Sequence, residues 1–66
     1  MNKELIACRL RSLRGEKPRE EVAIAVKVTA SAIAMYENGA RIPSDEVKVR
    51  LANYFGLTVQ DIFFAE

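Results

Sequence analysis

The sequence contains no histidine and only one cysteine, Cys8. A structural zinc site needs several Cys or His ligands, and a Ser-His-Asp triad needs a histidine base, so a single chain can form neither. One cysteine cannot form a disulfide within the chain, and we expect Cys8 to pack as a small hydrophobic residue. No nucleophile–base pair and no metal-binding cluster is evident. The sequence therefore predicts a protein that is not an enzyme and that needs no metal or cofactor.

Long apolar runs and stretches rich in glycine and proline are also missing. No segment approaches the length of a membrane span, and the N-terminus lacks the apolar stretch of a signal peptide. We therefore expect a cytoplasmic protein without a membrane partner. With three glycines, two prolines, 50% hydrophobic and 29% charged residues, the chain does not have the composition of a disordered protein. Its length allows one domain, residues 1–66, with one small core.

Charge is distributed unevenly along the chain. The formal net charge is only +1, but residues 1–19 sum to +4 and the remainder sums to −3. Such asymmetry can place a basic face on a nearly neutral molecule, which suits a polyanionic partner. The alternative is that these arginines are ordinary solvated charges on helix surfaces.

Apolar residues recur at helical spacing near both ends of the chain. A first helix is predicted from about Asn2 to Arg14, with Ile6, Leu10 and Leu13 on its apolar face and Gly15 at its end. Ser44 and Gly56 are predicted to begin and end a fourth helix, and Thr58 to cap a last short one holding Val59, Ile62 and Phe63. No stretch alternates long enough to form a sheet.

Between these segments, Arg19–Gly39 has the pattern of two short helices joined by a tight turn. Pro18 suits the start of the second helix, where its missing N–H does no harm. Thr29 is a good N-cap for a third helix that runs from about Ala30 to Glu37, and Asn38-Gly39 is a good stop. Helices joined by so short a turn must cross steeply, which is helix-turn-helix geometry. The predicted fold class is therefore all-α, a compact bundle of five helices with a helix-turn-helix.

Further residues match a known pattern over nearly the whole chain, from Ile6 to Phe63. They are Leu10-Arg11, Leu13-Arg14, Glu21-Val22-Ala23, Ile33, Glu37-Asn38-Gly39, Arg41, Pro43-Ser44, Leu51-Ala52, Phe55-Gly56-Leu57 and Asp61-Ile62-Phe63. In this order and at this spacing they resemble the Cro/repressor-type helix-turn-helix family of bacterial and phage regulators. The resemblance implies a repressor-like domain that binds double-stranded DNA through its third helix.

In that family the third helix enters the major groove with its N-terminal residues toward base edges. By position, the resemblance assigns base contacts to Ala30, Ser31, Ala34 and Met35. The Ser31 hydroxyl can donate or accept a hydrogen bond, whereas the alanine and methionine side chains offer only apolar contact, chiefly with thymine methyl groups. The alternative is that the alanines serve helix propensity and that Met35 fills a gap in the core.

The resemblance implies phosphate contacts for Arg19, Thr29, Asn38 and Arg41. Arg19 begins the second helix, where its guanidinium and nearby backbone N–H groups can hold one phosphate. Asn38 and Arg41 follow the third helix and would hold the other flank of the same backbone stretch. The alternatives are that Asn38 is only a helix cap and that Arg41 is a solvated loop charge.

Two residues near these positions bear on the fold more than on DNA. The family commonly has a glycine in the interhelical turn where this chain has Lys27, and a non-glycine residue adopts that turn at some energetic cost. Glu37 is expected to pair with an arginine of the first helix, because an unpaired carboxylate beside DNA phosphates would be repelled.

Two functions remain open from the sequence. The first is a sequence-specific transcriptional regulator, a repressor, that binds double-stranded DNA and no small-molecule ligand. The second is a protein-interaction module that kept the helix-turn-helix scaffold and lost DNA binding, which the alanine-rich third helix and low net charge favour. We also expect a homodimer through Val59, Ile62 and Phe64, because Phe63 should fill the core and leave Phe64 exposed.

Overall fold

The computed structural model describes residues 2–65, which form five helices and no strand. The helices are α1 (Lys3–Arg14), α2 (Arg19–Val26), α3 (Ala30–Glu37), α4 (Asp45–Phe55) and α5 (Gln60–Phe64). The first four are α-helices, and α5 is a single π-helical turn. This arrangement confirms the predicted all-α class and the predicted order of helices. None of the helices in residues 2–65 is long and apolar enough to cross a membrane.

Short polar side chains begin α1, α3 and α4. The side-chain oxygens of Asn2, Thr29 and Ser44 each accept a hydrogen bond from the backbone N–H three residues later, at 3.0, 3.0 and 3.4 Å. Each bond satisfies one of the N–H groups that a first helical turn leaves without a partner. Pro18 precedes α2 and provides no such bond. The N-cap roles predicted for Thr29 and Ser44 are confirmed.

A reciprocal pair of bonds begins the last turn of the chain. Thr58 Oγ1 accepts from the Asp61 backbone N–H, and Asp61 Oδ2 accepts from the Thr58 backbone N–H, both at 3.1 Å. Hydrogen bonding from the Thr58 backbone N–H, and to a smaller extent from the Thr58 side chain, lowers the pKa of the Asp61 carboxyl. The Ala65 N–H then donates to the Gln60 carbonyl at 2.8 Å, which closes a turn wider than that of an α-helix. The predicted cap is confirmed, but the geometry of the turn was not foreseen.

Three helices end in the same way, with a residue in the left-handed conformation. Lys27, Gly39 and Gly56 have φ values of 61°, 76° and 70° at the ends of α2, α3 and α4. In each case the following N–H donates to the carbonyl five residues earlier, at 3.0, 3.0 and 2.9 Å. This is the bonding of a Schellman motif, which normally has glycine at the left-handed position. Lys27 therefore adopts the glycine-like turn that the sequence comparison with the family implied.

The core lies where α3 packs on both α1 and α2, with α4 against α2 and α5 against α1. Its buried residues are Ile6, Leu10, Val22, Ala23, Val26, Ile33, Tyr36, Val47, Leu51, Ala52, Ile62 and Phe63. The apolar face predicted for α1 is confirmed, since Ile6 and Leu10 belong to this cluster and Leu13 packs against it. One side of α3 is therefore held by two helices and the other side remains open to solvent.

Two expectations about single residues are wrong. Cys8 is exposed, because it lies two positions from both Ile6 and Leu10 and so on the opposite side of α1 from the core. Ile62 is only 1% exposed, because it and Phe63 both face the core in the wide turn of α5. Ile62 is therefore removed from the predicted dimer surface. Phe63 lies in the core and Phe64 is 48% exposed, as expected.

Candidate nucleic-acid interface

The open side of α3 is apolar except for one hydroxyl. Ser31 is exposed, and Met35 is 38% exposed, so Met35 is partly covered but is not one of the buried core residues. Ala30 and Ala34 are half-buried, and Ala30 packs against the core cluster. Of the residues predicted to contact bases, Ser31 and Met35 therefore present the most side-chain surface.

At the N-terminal end of α3, the Thr29 hydroxyl combines two roles. Its oxygen accepts the capping bond from Ala32 at 3.0 Å, and the residue is exposed. A threonine hydroxyl has one donor hydrogen and two acceptor positions, so the capping bond leaves the donor available. Thr29 can therefore cap α3 and still donate to an anion.

At the other end of α3, Glu37 is a charged residue in the interior. Its side chain is 2% exposed and its two oxygens accept hydrogen bonds from two arginines. Arg14 binds it in a bidentate manner, from Nε to Oε2 at 2.6 Å and from Nη2 to Oε1 at 3.0 Å. Arg19 donates from Nε to Oε1 at 3.1 Å. The expected pairing of Glu37 with an arginine of the first helix is confirmed, whereas its second partner, Arg19, was missed.

The arginines keep this buried carboxylate ionised. Burial alone raises the pKa of Glu37, but the hydrogen bonds and charges of Arg14 and Arg19 outweigh it, and the pKa is lowered below 4.5. The hydrogen bond to Glu37 likewise raises the pKa of Arg14, against a smaller opposing effect of burial. The cluster therefore holds two positive charges around one negative charge at neutral pH.

The two arginines of this cluster differ in how many of their guanidinium nitrogens make no hydrogen bond within residues 2–65. The Arg14 side chain is 18% exposed, and its third nitrogen, Nη1, donates to the Lys17 carbonyl at 2.7 Å. The Arg19 side chain is 46% exposed, and within residues 2–65 it donates only from Nε. Arg19 therefore retains both terminal nitrogens for an external acceptor, whereas each nitrogen of Arg14 already donates one bond within the fold.

Other arginines of the basic N-terminal segment are also engaged within the chain. Arg9 Nη1 donates to the Ile62 carbonyl at 3.0 Å, which ties α1 to α5. Arg11 Nη1 donates to the Glu37 carbonyl, which ties α1 to the end of α3. Some of the arginines of residues 1–19 therefore stabilise contacts between helices in addition to carrying charge.

Two further donors follow α3. Asn38 is exposed, and its Oδ1 accepts from the Ala40 N–H at 3.0 Å, which leaves the side-chain NH₂ group as a donor. Arg41 is exposed, and its side chain makes no hydrogen bond or ion pair within the described part of the chain. Because Glu37 directly precedes Asn38, the Arg19–Glu37 bond brings Arg19 to this same end of α3. Thr29 stands apart, at the opposite end.

Two exposed apolar side chains flank α5. Phe64 is 48% exposed and Leu57 is 39% exposed, whereas Val59 is half-buried against the core. The Lys48 ammonium lies 5.5 Å from the centre of the Phe64 ring and also pairs with Asp45 at 3.3 Å.

Among residues 2–65, no group of three Cys, Asp or Glu side chains is placed to hold a metal ion.

Comparison with known proteins gives a family and two similar structures. The sequence model of the family described as a helix-turn-helix domain matches residues 5–62. No curated protein matches the sequence. A crystal structure of the clp gene regulator ClgR from Corynebacterium glutamicum is similar, with a TM-score of 0.80 and 27% identity over 91% of this chain. A second ClgR structure gives a TM-score of 0.76 at the same identity and coverage. This chain spans 66% of the first ClgR chain and 80% of the second.

Proposed function

Because the chain belongs to the helix-turn-helix domain family, we propose that it is a sequence-specific transcriptional regulator of the Cro/repressor type. It binds double-stranded DNA and acts as a repressor, with α3 in the major groove. The observation that carries this proposal is the solvent-facing side of α3 with donors at both ends. Thr29 lies at its N-terminus, and the free nitrogens of Arg19, Asn38 and Arg41 lie at its C-terminal end.

In this proposal the donors at the two ends of α3 hold phosphates and the face between them meets the bases. Phosphate contacts fix the position of the helix, and base contacts supply the specificity. Ser31 is the only hydroxyl on that face, and a single hydroxyl discriminates weakly between bases. The exposed Met35 thioether favours the thymine methyl. We therefore propose a preference for A·T pairs, with DNA shape providing part of the specificity.

We further propose that the protein binds as a homodimer through Phe64 and Val59, with the exposed Leu57 beside them in sequence. Large exposed aromatic side chains are typical of contact surfaces. A single module of this size makes few base contacts, so two-fold pairing onto successive major grooves, about 34 Å apart, would supply the missing specificity.

The first test compares Arg19→Ala with Ser31→Ala. Arg19→Ala removes a phosphate contact, so it should weaken binding to all duplexes about equally, by on the order of 1–3 kcal/mol. It should also reduce the salt slope, the dependence of log K on log salt concentration, by about one unit. Ser31→Ala removes a base contact, so it should leave the salt slope unchanged and weaken the preference at one base pair by about 1 kcal/mol. Binding isotherms at several salt concentrations, on a selected and on a scrambled duplex, measure both effects.

Arg50→Ala is the matched control, since it also removes one arginine charge. Arg50 lies on α4 and pairs with Glu46 at 2.6 Å, away from the ends of α3 in sequence. It should change the salt slope less than Arg19→Ala does. If Arg19→Ala leaves both the affinity and the salt slope unchanged, Arg19 does not contact a phosphate.

The alternative function is a protein-interaction module without DNA binding. The observation that favours it is the composition of the open face of α3, where Ala30, Ala34 and Met35 outnumber the polar Ser31. Retention on duplex DNA that falls steeply with salt supports the regulator. If the protein is not retained on duplex DNA even at low salt, and neither Arg19→Ala nor Ser31→Ala changes its retention, the interaction module is supported.

A further inference from the structure

We propose that Glu37 is a positioning residue for DNA binding, because it holds the Arg19 guanidinium by Nε and leaves the two terminal nitrogens to grip a phosphate. This inference rests on the proposed function. It goes beyond the fold-stabilising pair with Arg14, since it assigns the second bond of the carboxylate, to Arg19 at 3.1 Å, a part in binding.

The geometry separates a structural partner of Glu37 from a functional one. Arg14 donates to both carboxylate oxygens, at 2.6 and 3.0 Å, and its remaining nitrogen donates to the Lys17 carbonyl. Each nitrogen of Arg14 already donates one bond, and its side chain is 18% exposed, so it is less available to an external ligand than Arg19 is. Arg19 shares only Oε1, and nearly half of its side chain is exposed. The same carboxylate therefore anchors one arginine inside the fold and one at its surface.

The chemistry of arginine suits this double contact. A guanidinium carries five N–H donors in a rigid plane, and Nε supplies only one of them. The four donors on the terminal nitrogens match two oxygens of a phosphate in a bidentate arrangement. A lysine ammonium is a compact charge without this fork, so it cannot serve Glu37 and a phosphate in the same way.

The anchor also ties the phosphate contact to the helix that faces the bases. Glu37 is the last residue of α3, and its carbonyl oxygen accepts a bond from Arg11 of α1. Its side chain is 2% exposed, so water has little access to compete for the carboxylate. The Arg19 guanidinium is thus fixed to the end of α3 before DNA binds. A side chain that is already ordered loses less conformational freedom on binding, and it also sets the register of α3 on the backbone.

Substitution of Arg19 by lysine tests this inference without disturbing the Arg14–Glu37 pair. Arg19→Lys keeps the positive charge, so the salt slope should match that of the wild type. The affinity should nevertheless fall about tenfold, the effect of one charge-assisted hydrogen bond, because the fork is lost. Arg19→Ala should lower both affinity and slope. An Arg19→Lys variant that binds as tightly as the wild type would overturn the positioning role.

A spectroscopic measurement on the free protein gives a second, independent test. The Arg19 Nε–H should give an NMR signal protected from solvent exchange, and Glu37→Gln should abolish that protection. If Glu37→Gln does not fold, protection of the Arg19 Nε–H in the wild type still decides the point, and rapid exchange there would overturn the inference.

The outcomes also separate this inference from the proposed function. A wild-type protein that binds no duplex DNA at low salt contradicts the function itself. A wild-type protein that binds, with Arg19→Ala weakened and Arg19→Lys unchanged, keeps the function and refutes only the role of Glu37.

Discussion

Lys27 occupies a backbone conformation that the other two helix ends of this type reserve for glycine. Its φ and ψ are 61° and 45°, whereas Gly56 ends α4 with φ 70° and ψ 30° and the same pair of backbone bonds. The Lys27 side chain is exposed and makes no hydrogen bond or ion pair within residues 2–65. Replacing it with glycine therefore removes conformational strain and no contact, and we expect Lys27→Gly to stabilise the fold.

The magnitude follows from two opposing effects. An L-residue in the left-handed region costs roughly 1–2 kcal/mol relative to glycine. Glycine also makes the unfolded chain more flexible, which costs about 0.4–1 kcal/mol. The difference is a gain of about 0.5–1 kcal/mol in the free energy of unfolding. For a domain of this size, 1 kcal/mol corresponds to a rise in Tm of about 4–8 °C.

Gly56→Lys is the matched reverse substitution. A Cβ added at Gly56 meets no heavy atom within 4 Å, so its cost should come from the backbone conformation alone. It should destabilise by about the amount that Lys27→Gly stabilises, and the double variant should unfold near the wild-type midpoint, since distant substitutions add. Urea titration followed by circular dichroism measures all four proteins. A Lys27→Gly variant less stable than the wild type would refute this reasoning and would assign the Lys27 side chain a contact in the folded state.

Two further predictions concern acid stability and the surface around α5. The pKa of Glu37 is lowered in the folded state, so its carboxylate is protonated more readily in the unfolded chain than in the folded one. The ion pair therefore stabilises the fold above pH 4.5, and this stabilisation is lost as the pH falls through the lowered pKa. Urea midpoints between about pH 6 and pH 3 should therefore fall in the wild type, and a slope that persists unchanged in Glu37→Gln would contradict this source. Phe64→Ala should shift sedimentation toward monomer while lowering the free energy of unfolding by about 1 kcal/mol, because only about half of the ring is buried. Phe63→Ala, in the core, should cost about 3–5 kcal/mol. A wild-type protein that is monomeric at high micromolar concentration, both free and on DNA, would contradict the dimer.

Local signals explain why much of the fold was predictable from the sequence. Thr29 and Ser44 form their capping bonds within one helical turn, so no tertiary contact is needed to place those helix starts. Gly56 ends α4 through its own backbone conformation. The apolar spacing of Ile6 and Leu10 likewise identifies the buried face of α1 from the sequence alone.

The features that escaped prediction depend on contacts between distant segments. The Arg19–Glu37 bond joins residues 18 apart, and it depends on the packing of α2 against α3. The burial of Ile62 depends on the π-helical turn, for which the sequence carries no clear signal. The positions of Arg19, Asn38 and Arg41 in the candidate site followed from the family resemblance, and their roles on DNA remain predictions.

Arg9, Arg11 and Arg14 are bound to the protein's own carbonyl and carboxylate groups. The nine acidic residues bring the net charge to only +1, so little net positive charge is left to attract random DNA. Attachment to arbitrary sequence depends almost entirely on such charges. On the proposed function, each encounter with a non-target stretch of chromosome should therefore be brief. The protein would find its target by repeated dissociation and rebinding more than by sliding along DNA. The target sequence would then differ from other sequences mainly in the residence time of the dimer.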